Sequence, residues 1–160
     1  YVGDEVVISW RMDAGKFRNN AVQVFFSCQA AIQEKADHFI REYGAVPEFK
    51  AGMHAGPVMT GELGRIKKEL VYSGVAISAA SRIQHLCRQL SSDFLISEHL
   101  FHRLDLGQKV AYDNLGAFSL KGVEEQVNLI KIEKPLENLY FEASKPSRSI
   151  PVPALKMFRS

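Results

Sequence analysis

The chain has 160 residues, 46% of them hydrophobic and ten of them Phe, which is enough apolar material for the core of one domain. Its 20 basic and 18 acidic residues leave a formal net charge of +2, which argues against nucleic acid or a membrane surface as partner and makes any anion site a local one. Cys28 and Cys87 match neither a zinc spacing nor a disulfide framework and read as reduced core thiols in a cytoplasmic setting, and the longest apolar runs fall well short of the ~20 residues of a membrane helix.

Taken in chain order, the sequence opens without Met on Tyr1-Val2-Gly3-Asp4. The Gly-Asp pair reads as a hairpin tip whose first strand lies upstream, with residues 5–10 as its second strand. Residues 19–43 carry an amphipathic helix with Phe25, Cys28, Ile32, Phe39 and Tyr43 on one stripe, closed by Gly44 as C-cap. Residues 49–54 and 58–63 follow as strands joined through Gly56-Pro57, and 69–73 as a third strand after a charged turn. A second helix spans 77–90, with Ile77, Ala80, Ile83 and Cys87 inward and Arg82 nearby. Residues 94–97 predict a strand, 98–104 a short helix, and 110–120 with 127–132 a closing hairpin around Lys121-Gly122. Strands and helices alternate, so helices packed on a mainly antiparallel sheet fit this order better than a helical bundle.

This folded unit covers 1–134, and 135–160 reads as an extended tail with prolines at Pro146, Pro151 and Pro153. Within the tail, residues 137–142 are one residue away from a common protease-tag site and are kept out of the fold reasoning.

No single motif is decisive. Gly3-Asp4 is most simply a solvated hairpin turn. The glycine-spaced stretch from Gly52 to Gly61 is neither a dinucleotide fingerprint nor a Walker loop, and tight sheet packing explains it. His54 reads as a satisfied sheet histidine, and His99 with His102 lack the further ligands of a zinc site. Taken singly, Arg82 and Lys121 are ordinary surface cations that could bind phosphate.

The order of four segments carries more. Tyr1-Val2-Gly3-Asp4-Glu5-Val6-Val7, then Gly52-Met53-His54-Ala55-Gly56-Pro57, then Val71-Tyr72-Ser73-Gly74 running into Ala80-Ser81-Arg82, and finally Leu120-Lys121-Gly122-Val123 occur in sequence. Over about 1–132 this pattern resembles the class III adenylate and guanylate cyclases, most of all the bacterial adenylate cyclases, in a C-terminal two thirds of the catalytic domain. The resemblance implies a ferredoxin-like α+β sandwich in which the ribose 3′-oxygen of ATP attacks the α-phosphorus and pyrophosphate leaves.

It further implies two metal ions, Mg²⁺ or Mn²⁺, held by two aspartates. Asp4 falls on the second of these, and the first would lie upstream. Hard divalent cations prefer carboxylate oxygen and can acidify the attacking hydroxyl. Arg82 matches the family's transition-state arginine, and Lys121 its lysine for the terminal phosphates. Ser78 stands where the family places an asparagine that positions the ribose, four residues before Arg82. Its single hydroxyl keeps one hydrogen bond at most to the same partner. Val71 falls on a base-reading position, where its side chain offers no hydrogen bond, so purine identity stays open.

In the family Asp comes from one protomer and Arg with Lys from the other, which implies a homodimer with its sites at the interface. Two other readings remain beside the adenylate cyclase. One is a weak or inactive cyclase-homology domain that dimerises for regulation; the other is a cyclase for GTP or a pyrimidine nucleotide. The resemblance implies no membrane contact for this segment, although it could be the cytosolic domain of a membrane-anchored parent.

Overall fold

The computed structural model describes residues 5–10, 20–63, 69–104, 106, 108–123 and 125–135. Its elements are α1 (Asn20–Glu34), α2 (Ala36–Tyr43), β1 (Ala51–Met53), β2 (Met59–Leu63), β3 (Glu69–Ser73), α3 (Val75–Gln89), β4 (Phe94–Ser97), α4 (Glu98–Arg103), β5 (Val110–Phe118) and β6 (Val127–Pro135). Four strands form one sheet in the order β1-β4-β6-β5, and β2 with β3 form a separate hairpin. β1 runs parallel to β4, while β4–β6 and β5–β6 are antiparallel, so this is the mixed α+β architecture expected, with a mainly antiparallel sheet.

β4 is the centre of the molecule. All four of its residues are buried, as a strand covered on both faces requires. Because successive side chains point to opposite sides, Phe94 and Ile96 enter one core and Leu95 the other. The first core joins Val22 and Phe25 of α1 and Leu100 and Phe101 of α4 to Ile130 and Ile132 of β6. The second joins Ala79, Ile83 and Cys87 of α3 to Leu95, Leu129 and Leu120. The chain therefore makes three layers, with α1 and α4 on one side of the sheet and α3 on the other.

Several elements match the sequence reading closely, and three differ. The expected helix over 19–43 is two helices. It breaks at Lys35, whose N–H donates to Ile32 O at 3.1 Å while its carbonyl caps α2. Burial gives the reason: Ala21, Val22 and Phe25 lie in the core, whereas α2 buries no residue and leaves Tyr43 59% exposed. Phe39 and Tyr43 instead contact each other and His38 on the surface. Gly44 does close α2, in the left-handed region at φ 76° with its N–H on Ile40 O.

Residues 5–10, expected as a strand, join no ladder among the described residues, and Val7 is 59% exposed. β-propensity alone does not make a strand without a hydrogen-bonded neighbour. The inward face of α3 is Ala76, Ala79, Ile83 and Cys87, one residue earlier over its first turns than the expected Ile77 and Ala80, which are half-buried. Ala76 faces Gly56, where a Cβ would stand 3.0 Å from that of Ala76.

β6 ends at Pro135, and the residues expected as a tail from 136 onwards lie outside the described residues. Among the described residues no helix is long and apolar enough to cross a membrane.

Candidate functional site: the corner between α3 and the Lys121 turn

Glycines determine how near α3 comes to β1. A Cβ on Gly52 would meet the backbone of α3, at Gln84 N and at Ala80 O, the latter 2.5 Å away. One on Gly56 would stand 3.0 Å from Ala76 Cβ. Gly74, the N-cap of α3, has φ 157°, and a Cβ there would lie 2.8 Å from Pro57 O. Helix and strand backbones are thus in direct contact along 52–57, an approach that only glycine permits. Behind this contact the Cys87 thiol donates to Ala51 O at 3.4 Å, and burial pushes its pKa up to about 12, so it is a core thiol and no nucleophile.

Ile83 is fully buried, and the half-buried Arg82 stands beside it on the helix. Ser78 is exposed one turn earlier on the same face of α3. The opposite wall of the corner is the turn Leu120-Lys121-Gly122-Val123. It is closed by Val123 N–H donating to Leu120 O at 3.0 Å, with Gly122 at φ 73°. A positive φ at the third position is the mark of a type II turn. Leu120, 4% exposed, plugs this turn into the same core as Ala79 and Ile83, and Val123 packs against that core. Lys121 is left exposed at the tip.

The arginine head closes the gap. A Cβ on Gly122 would lie 3.4 Å from Arg82 Nη2, 3.7 Å from Nη1 and 3.8 Å from Cζ. The guanidinium therefore stands over the residue next to Lys121, and two residues 39 apart in sequence come to one place. Among the described residues neither cation has an ion-pair partner. The corner therefore gathers an exposed lysine and a half-buried arginine, with no counter-charge among the described residues.

Val71 is in β3 opposite Gly61, in the strand that leads through Gly74 into α3. Asp4 lies outside the described residues. Sequence reasoning gave Gly122 no role of its own; its signal was a Lys-Gly pair in a turn, which is common enough to pass unremarked.

One histidine reading needs adjustment. His54, expected to be a satisfied sheet histidine, has its Nδ1 buried without a hydrogen-bond partner among the described residues, as does Ser97 Oγ. Burial, with a smaller contribution from the charge of His99, pushes the His54 pKa down. His102 Nε2 stands 3.9 Å from Glu98 Oε1, and Glu98 accepts hydrogen bonds from Asn114 at 3.1 Å and Asn128 at 2.7 Å. That carboxylate ties α4 to the closing hairpin.

Over 132 residues the chain is 30% identical to Adenylate cyclase 2 of Rhizobium meliloti (strain 1021), a match that covers 82% of the chain and 36% of the relative. The chain thus spans about a third of the length of that relative. No protein-family model matches it.

Among solved structures, a bacterial light-regulated adenylyl cyclase matches at TM-score 0.39 and 24% identity, over 48% of this chain and 21% of that one. The guanylate cyclase domain from Catenaria anguillulae in complex with GTP matches at 0.39 and 20%, over 50% and 41%. An adenylyl cyclase from P. aeruginosa matches at 0.38 and 17%, over 48% and 38%. The chain belongs to the class III nucleotide cyclases.

Proposed function

We propose that this segment is part of a catalytic domain that converts ATP into 3′,5′-cyclic AMP and pyrophosphate at the interface of a homodimer. The supporting observation is the α3 corner, where the Arg82 guanidinium meets the Lys121 turn with no internal counter-ion among the described residues. The matched relative is named an adenylate cyclase, which supports ATP as the nucleotide.

In this reading the ribose 3′-oxygen attacks the α-phosphorus, its proton is lost, and the bond from the α-phosphorus to the bridging oxygen of pyrophosphate breaks. Arg82 meets the charge that builds on the α-phosphate oxygens, where a planar and permanently charged donor is worth most. Lys121, an exposed point charge on a flexible stem, binds the terminal phosphates. Ser78, exposed on the same helix face, offers the ribose one hydroxyl. Val71 adjoins the base and contributes shape without a side-chain hydrogen bond.

Asp4 of the partner protomer would supply a carboxylate to Mg²⁺ or Mn²⁺, whose oxygen preference it fits. One carboxylate does not hold two ions, so a second acidic residue and the phosphates must complete the set. Bound there, the ions acidify the 3′-hydroxyl and neutralise the leaving group. Among the described residues no group of three His, Cys, Asp or Glu side chains could hold a metal; Asp4 enters on the family resemblance.

The test is an assay of the full-length protein with ATP, GTP, CTP and UTP. Arg82→Ala should lower turnover about 10²–10³-fold, the usual cost of removing one transition-state donor. Ser78→Asn should raise cyclic nucleotide output with dimerisation unchanged. A dimer that makes no cyclic nucleotide from any of the four, with or without Ser78→Asn, would replace this reading with that of a regulatory module.

A further inference from the structure

We propose that Gly122 is a positioning residue for Arg82: having no side chain, it leaves the space over the Lys121 turn to the guanidinium and so sets where the arginine head stands. The three heavy atoms nearest to a Cβ on Gly122 are Nη2, Nη1 and Cζ of Arg82. The gap between the turn backbone and the arginine head is therefore about one methyl group wide.

The turn cannot retreat to make room. Leu120 and Val123 anchor both of its ends in the core that α3 shares, and Ile83 in that core is the neighbour of Arg82. Arginine carries several rotatable bonds, and holding its head in one place normally costs side-chain entropy. A side chain filling the space over Gly122 would change which positions the head can take. Because adjacent α-carbons are about 3.8 Å apart, the same turn places the root of Lys121 beside the arginine head. A side chain longer than a methyl must either displace that head or cover its face.

A comparison within the same hairpin isolates this role from backbone conformation. Gly116 has φ 79° and Gly122 φ 73°, but a Cβ on Gly116 has nothing within 4 Å. Asn tolerates positive φ, so Gly116→Asn and Gly122→Asn impose similar backbone demands, and only the second meets Arg82. The catalytic consequence rests on the proposed function; the positioning itself does not.

The readout is the Nε–Hε resonance of Arg82 in the full-length protein, assigned by its disappearance in Arg82→Lys, together with affinity for inorganic triphosphate. Gly122→Asn is expected to shift the resonance and weaken triphosphate binding at least about tenfold, the worth of one hydrogen bond to a charged group. Gly116→Asn is expected to do neither. An unmoved resonance in Gly122→Asn, or equal shifts in both variants, would overturn the assignment. If the wild type neither binds triphosphate nor forms cyclic nucleotide, the cyclase reading falls, and the resonance comparison still decides the positioning.

Discussion

The two faces of the sheet are built from different material. On the α1 side, bulk fills the space: Phe25 packs on Phe94 with ring centroids 4.4 Å apart, stacks on Phe49 at 5.5 Å and meets Phe26 edge-on at 5.3 Å. On the α3 side, Ala76, Ala79, Gly52 and Gly56 replace side-chain volume with close backbone contact. Large aromatic groups contribute most of the burial energy and tolerate small shifts of a helix. Backbone contact contributes less burial, but it fixes the helix within a few tenths of an ångström, because nothing flexible lies between. The Arg82 corner stands on the second kind of surface, so stability and the geometry of that corner should respond to different substitutions.

Three experiments can break or sharpen that contrast. The largest effect on stability is expected from Phe94→Ala, about 3–5 kcal/mol by chemical denaturation, with the Arg82 Nε–Hε signal of the folded fraction unmoved. A displaced signal would mean that the two faces are mechanically coupled through β4.

Gly52→Ala should cost less, about 1–3 kcal/mol, yet displace Arg82, because the added methyl meets the α3 backbone instead of a side chain that could turn away. An undisturbed resonance there would show that some other contact sets the height of α3.

The smallest effect belongs to His54. Its pKa is held below the usual 6.5 by burial, so the unfolded chain binds more protons as pH falls through that value. The stability concerned is complete above about pH 6.5 and is lost progressively below it. His54→Gln should flatten the dependence of Tm on pH between about pH 8 and about pH 5; an unchanged slope would mean that another group carries it.

Much of this was legible in the residues themselves. β3, β4 and α4 fall where alternation and turn chemistry placed them, and Gly44 ends its helix as read. Local signals suffice there, because a strand flanked by turn residues and a helix stopped by glycine each depend on neighbours a few positions away. The break at Lys35 was not legible: the apolar stripe continues through it, and only the presence of a core beneath α1 and its absence beneath α2 separates the two helices. The same holds for the inward face of α3, where Ala76, facing Gly56, lies in the core and the more apolar Ile77 is half-buried.

By itself the sequence determined the element order, the mixed class and the ordered series of segments that resembles a cyclase, since each of these is written in local spacing. Tertiary structure alone decided that Arg82 and the Lys121 turn share one corner and that Gly122 stands between them. That contact joins residues 39 and 40 positions apart, and it depends on how closely two backbones can approach, a property that no stretch of contiguous residues encodes.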